Sequence, residues 1–244
     1  MKILNSLILA LCFSIHFPSY AEDKIIIAAR SDFSLTRLYV EILTEAYKRI
    51  EQPVEFIYLP GGSSLKYSDT GYLGVDGEAG RLAGVLKQYK NLRHVPVAIY
   101  NSELTAFTNK KHLKISGWED LKQYQVTTRL GYKVVRNKLA GNNLKVVEDS
   151  DVALRLVEKY RSDIAILSKT DGMAVIKKLQ LKNVMVVDVP VQTLPVFHLI
   201  NESKSYLIPK LEKALADMQR EGVLTEMVKR FEEEHINSEC GNKC

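Results

Sequence analysis

The sequence predicts an α/β fold of two lobes, each a mostly parallel sheet flanked by helices, with two crossover strands as the hinge. Three observations carry this. Apolar runs of strand length alternate with amphipathic helical patterns, the signature of parallel α/β units. The alternation begins at Lys24, restarts near Ser116 and gives way to paired helices from Lys204. Extended segments near 104–109 and 189–197 link the two halves, so the chain crosses twice and the second lobe is inserted into the first. The expected limits are 22–108 with 195–244 for the first lobe and 109–194 for the second.

The first 21 residues differ from the rest. Lys2 supplies a positive start, 4–13 is an apolar core, and Ser19-Tyr20-Ala21 offers small residues where a signal peptidase cuts. The apolar run is shorter than the roughly 20 residues of a spanning helix. A cleaved export signal is expected, with a mature chain from Glu22 and a periplasmic location.

Lys24 to Ala29 is a continuous apolar run, as in a strand buried on both faces. A helix follows, with Leu35, Leu38, Tyr39, Ile42, Leu43, Ala46, Tyr47 and Ile50 on one face and Ser34 as its expected N-cap. Val54 to Leu59 forms a second strand, closed by Pro60-Gly61-Gly62, and Ser63 to Tyr67 a short helix. Tyr72, Leu73 and Val75 then form a strand. Asp76-Gly77 reads as its turn, leading into a helix to Tyr89 with Ala79, Leu82, Val85 and Leu86 inward. Leu92 to Tyr100 reads as two short strands broken at Pro96, and Leu104 to Thr108 as a third.

The second lobe opens with a capped helix at Ser116 to Leu121. A strand at Gln125 to Thr128 turns through Arg129-Leu130-Gly131-Tyr132 into a helix ending near Leu139. Leu144 to Val147 is a strand, and Ser150 caps the next helix. Asp163 to Leu167 is a buried strand, followed by Ser168 to Gly172, a helix to Leu179 and a strand at Val184 to Val187. Two helices, Lys204 to Glu221 and Val223 to about Glu234, end the fold around Gly222.

Composition narrows the function classes. The chain has 244 residues, 46% of them hydrophobic, enough for real cores, and 26% charged. Its formal charge of +5 is dispersed, with no run of basic residues interleaved with aromatics, so no nucleic-acid partner is expected. No Gly-x-Ser-x-Gly elbow, His-Glu-x-x-His helix or phosphate-cradling loop occurs. His94, His112, His198 and His235 are scattered. No catalytic role, metal or cofactor is therefore assigned. Outside the leader the cysteines are Cys240 and Cys244, which in an oxidising compartment either close a small C-terminal disulfide loop or sit in a frayed tail.

Asp76, Glu78 and Arg81 form the most informative cluster. Arg81 is either an anion clamp, whose planar fork takes a carboxylate through two hydrogen bonds, or the surface partner of Asp76 or Glu78. Asp76 and Glu78 either orient it and face a ligand or serve a helix start. Arg129 is a second clamp or a solvated residue, and Phe33 a stacking platform or core. Ser63 and Ser64 are ligand contacts or helix caps, and Gly131 suits a tight turn in either case.

With these residues in view, the chain resembles the extracellular solute-binding proteins of the amino-acid type, with the type II periplasmic binding fold. The resemblance covers the mature sequence: an export signal, an early KIIIAA strand, Asp-Gly-Glu-x-x-Arg, an Asp-x-Ala-x-Leu strand and paired C-terminal helices. It implies that Arg81 clamps a ligand carboxylate and that the turn with Thr128, Arg129, Gly131 and Tyr132 adds contacts to it. It also implies that Phe33 stacks on the ligand. Ser168 stands where such proteins place an acid for the ligand's ammonium, with Asp171 three residues on. That task then falls to Asp171, Asp76 or Glu78, or the solute is not a standard α-amino acid. The implied function is non-catalytic capture, by a monomer, of a small anionic or zwitterionic solute for a membrane permease or a sensor. The same fold also hosts periplasmic dehydratases, for which Asp76 or Glu78 would be the acid or base, and sensory modules without a transported ligand.

Overall fold

The structure is a computed structural model and describes residues 23–31 and 33–238. The export signal expected over 1–21 and the Cys240 and Cys244 pair lie outside the described residues.

The first lobe opens with β1 (Ile25–Arg30), α1 (Thr36–Arg49), β2 (Val54–Leu59) and α2 (Gly61–Thr70), followed by β3 (Val75–Leu82). β1 pairs in parallel with β2 on one side and β3 on the other. The long β4 (Leu92–Thr108) then leads into β5 (Val126–Arg129), α3 (Lys133–Lys138), β6 (Leu144–Val147) and α4 (Ser150–Glu158). β7 (Ile164–Ser168), α5 (Lys169–Leu179) and β8 (Met185–Val186) complete the second half. The chain returns through β9 (Gln192–Asn201) and ends in α6 (Ile208–Arg220) and α7 (Val223–Ser238).

One sheet runs through the described molecule in the order β2-β1-β3-β9-β4-β7-β5-β6, with β8 beside β4. The outer pairs are parallel, whereas every pair involving β4 or β9 is antiparallel. Those two strands run side by side from the Leu92–Asn201 pair to the Leu104–Gln192 pair and so connect the halves. Each half has its own apolar interior. Ile25, Leu38, Ile42, Tyr47, Ile200, Leu211 and Phe231 belong to one cluster. Leu121, Val135 and Ile166 belong to a second, and Phe107, Leu154 and Leu167 to a third beside it. Mixed α/β lobes with sheets flanked by helices are thus present.

Several local expectations are corrected. The stretch from Val75 to Leu82 is one strand, and no helix starts at Gly77; only a 3₁₀ turn at Ala83–Lys87 follows. The cause is close packing at two glycines. A Cβ on Gly77 would stand 2.4 Å from the Leu199 carbonyl oxygen, and one on Gly80 2.5 Å from the Tyr39 ring. The Asp76-Gly77 pair is therefore inside a ladder, not at a turn. Pro96 does not split β4; it sits in the register irregularity between His94 and Ala98, where a missing N–H costs no ladder bond. Ser34 does not cap α1, whose N-cap is Leu35 without a side-chain bond. Asp149, not Ser150, caps α4, accepting from Val152 N. The expected helix at Ser116 is a 3₁₀ turn, Glu119–Gln123, with Ser116 donating to Asp120.

Candidate functional site

Loops at the carboxyl ends of β1, β5 and β7 meet where the two halves face each other. Open α/β sheets bind ligands at such ends. Ser34 Oγ, beyond β1, donates to Asp171 Oδ1 at 2.9 Å, a bond from the first half to the first turn of α5. Asp171 Oδ2 accepts from Tyr132 Oη at 3.0 Å, and the Tyr132 oxygen accepts in turn from Ser168 N at 3.1 Å. Ser168 itself caps α5, taking the Asp171 N–H at 3.3 Å. Burial, reinforced by the Asp171 carboxylate, pushes the Tyr132 hydroxyl up to about 12, so it stays a donor. The Arg129 guanidinium lies over the Tyr132 ring, 4.9 Å from its centre, with Nη2 3.6 Å from Asp171 Oδ2.

From the first half come Arg81 and Glu78. They are side by side on β3, their ion pair closed at 2.9 Å between Nε and Oε1. Arg81 Nη2 also donates to the Gly61 carbonyl at 2.8 Å and to Ser64 Oγ at 2.7 Å, which ties the strand to the first turn of α2. Glu78 has only 1% of its side chain exposed and Arg81 12%. Burial pushes the Glu78 carboxyl up to about 7, against the pull of the neighbouring guanidinium. Its Oε2 has no hydrogen-bond partner among the described residues. Arg30, at the end of β1, reaches the same corner: its Nε stands 3.0 Å from where a Cβ on Gly61 would lie. Its guanidinium carbon is 4.5 Å from the centre of the Phe33 ring.

Tyr39 lies between these groups. Its ring is 6.0 Å from Phe33 and 6.1 Å from Tyr100, and Gly80 lets β3 pass against it. Burial raises its hydroxyl well above the ordinary value, with the Tyr100 hydroxyl adding to the rise. Tyr100 and Thr170 share a 3.0 Å hydrogen bond, and Thr170 donates to Glu232 of α7 at 3.2 Å. Lys169 pairs with Glu103 at 3.2 Å. These contacts border a cavity of about 460 Å³ lined by Ile99, Met173, Leu224 and Val228, among others. None of the sequence-predicted site residues lines it.

Among the predicted residues, Ser64, Glu78 and Arg81 form one group in the first half, and Arg129, Tyr132, Ser168 and Asp171 another in the second, with Phe33 beside Arg30. Gly131 holds the β5 turn at φ +96°, a conformation that favours glycine. Ser63 is half-buried in the first turn of α2. Two candidates lie apart from both groups. Asp76 accepts from Ile26 N at 3.0 Å, at the opposite end of the β1–β3 ladder, with Lys204 at 4.0 Å. Thr128 is fully buried and donates to the Ile166 carbonyl at 2.8 Å, holding β5 to β7. Sequence reasoning missed Arg30, Ser34, Tyr39, Tyr100 and Thr170 as members of this neighbourhood. Tyr39 carried only the signal of a core-facing helix position, and Arg30 that of a strand end.

No family model and no curated protein matches the chain. Solved structures do. A histidine kinase sensor domain with similarity to periplasmic binding proteins superposes with a TM-score of 0.66 at 17% identity, covering 86% of this chain and 96% of its own. The GluR0 ligand-binding core in complex with L-glutamate gives 0.68 at 12% identity, covering 87% and 99%. An ancestral arginine-binding protein bound to glutamine gives 0.61 at 17%, covering 85% and 97%. Identities this low carry architecture alone: the chain has the two-lobe α/β fold of the periplasmic-binding type.

Proposed function

We propose that the protein is a periplasmic solute receptor that takes a small carboxylate-bearing solute, an amino acid or a related compound, between its lobes without transforming it. The lobes are taken as 22–108 with 195–244 and as 109–194. A membrane permease or a sensor then reads the closed form, and the receptor works as a monomer after its export signal is removed.

The observation that supports the reading is a pair of arginine-bearing groups, Arg81 with Glu78 in one half and Arg129 with Tyr132 and Asp171 in the other, the second joined to the first half by the Ser34–Asp171 hydrogen bond. Guanidinium groups stay charged at any working pH and match carboxylates in shape. Placed at strand ends between two hinged bodies, they suit capture by closure. A second reading has one observation behind it. Glu78 titrates near neutrality, as a general acid or base would. Its side chain is sealed from solvent, however, and reaches a substrate only if the surrounding groups part.

Thermal melting against amino acids, dicarboxylates, polyamines and aromatic acids tests the proposal. A true solute at about a hundred times its Kd adds roughly 2.7 kcal/mol. For a chain of this size that raises Tm by about 5–10 °C. A carboxylate-bearing member that stabilises and is recovered unchanged is the expected result. A stabilising member that is consumed favours the enzyme, and a panel without effect contradicts the receptor.

A further inference from the structure

Arg81 and Arg129 stand in opposite hydrogen-bonding situations. Side-on capture of a carboxylate by arginine uses the adjacent Nε and Nη2 donors of one fork. In Arg81 that edge is already committed, Nε to Glu78 and Nη2 to Gly61 and Ser64, all acceptors of the protein itself. Freeing it for a solute would leave the Glu78 carboxylate buried without its cation, and removing one partner of a buried pair is costly.

Arg129 has the reverse arrangement. Its Nε is buried and has no acceptor among the described residues. Its Nη2, 3.6 Å from Asp171, is beyond hydrogen-bond range. A buried N–H left unpaired is costly, and native structures keep few of them. The guanidinium is nevertheless held in place: the Tyr132 ring lies beneath it, and the Tyr132 hydroxyl fixes the adjacent Asp171. Asp171 in turn touches Ser34 of the other half, so the group sits at the meeting of the lobes.

We infer that Arg129, not Arg81, makes the primary contact with the solute's carboxylate, through its Nε edge. Arg81 is a positioning residue, clamping Glu78 and β3 to the start of α2. This inference rests on the carboxylate-receptor reading above and assigns the anion contact to the second lobe's β5 turn.

The test is titration calorimetry of the mature chain with succinate, L-glutamate and L-glutamine, on wild type, Arg129→Gln and Arg129→Lys. NMR of the arginine Nε–Hε signals accompanies it, with the Arg129 signal identified by its loss in R129K. At least one probe should bind wild type and weaken tenfold or more in both variants, because lysine keeps charge but not the fork. The Arg129 signal should move downfield on saturation while the Arg81 signal stays in place. Binding retained within threefold in R129Q, or a shift of the Arg81 signal instead of the Arg129 signal, overturns this assignment and leaves the receptor reading standing. Failure of all three probes, and of the carboxylates in the melting panel, overturns both.

Discussion

Glu78 and His198 lie back to back in the first lobe. The Glu78 carbonyl must accept, so His198 Nδ1 carries the proton it receives at 2.9 Å; Nε2 is then the acceptor for the Tyr47 hydroxyl at 3.0 Å. Burial holds His198 down at about 4 and Glu78 up at about 7, from ordinary values of 6.5 and 4.5. Their effects on stability have opposite signs. The folded state grips the Glu78 proton more tightly, so that contribution is complete below pH 4.5 and lost as pH rises through 7. The folded state resists protonating His198, so that contribution is complete above pH 6.5 and lost as pH falls through 4. Each is on the order of 3 kcal/mol, and over pH 4.5–6.5 their opposite pH slopes nearly cancel. Chemical denaturation should show this directly. Glu78→Gln is expected to make stability climb with pH between 4 and 6.5, and His198→Gln to make it fall between 4.5 and 7; equal slopes in both variants would refute the opposition. The sequence left Arg81 as an anion clamp or as the partner of Asp76 or Glu78, and in the structure its ion pair is with Glu78. It did not show that the pair is buried, since three residues' separation reads as a helix face until the strand's partners are known.

β3 is the clearest case of an element whose type the sequence misstates. Ala79, Leu82, Val85 and Leu86 recur at helical intervals, but the strand is decided by what lies on either side of it. Gly77 faces the Leu199 backbone at a distance no Cβ tolerates, and Gly84, just beyond the strand, has nothing within 4 Å. Gly77→Ala should therefore destabilise the protein by about 1–3 kcal/mol or more through overpacking against backbone. Gly84→Ala should change it by less than about 0.5 kcal/mol. A comparison of denaturation midpoints distinguishes this from a helical segment, where alanine would stabilise at both positions. Four elements were legible for a plain reason: β1 and β7 are continuous apolar runs, and α1 and α6 have unbroken apolar faces. Periodicity is informative where one neighbour buries one face. It fails where a short glycine-rich strand is shaped by two.

At the scale of the whole molecule, the two-lobe plan was readable because alternation restarts after a crossing segment, a pattern that few other architectures produce. The contacts between halves were not readable, because Ser34 meets Asp171 and Tyr100 meets Thr170 across 137 and 70 residues of sequence. Those contacts place the candidate site at the junction, and a solute captured there must touch both halves at once. Hydrogen–deuterium exchange of the mature chain, with and without the carboxylate that raises Tm most, tests this most directly. The account predicts slower exchange on solute addition both at 30–34 and 61–64 in the first lobe and at 129–132 and 168–171 in the second. Protection confined to one lobe, or to the cavity beside α7, would contradict capture between the lobes.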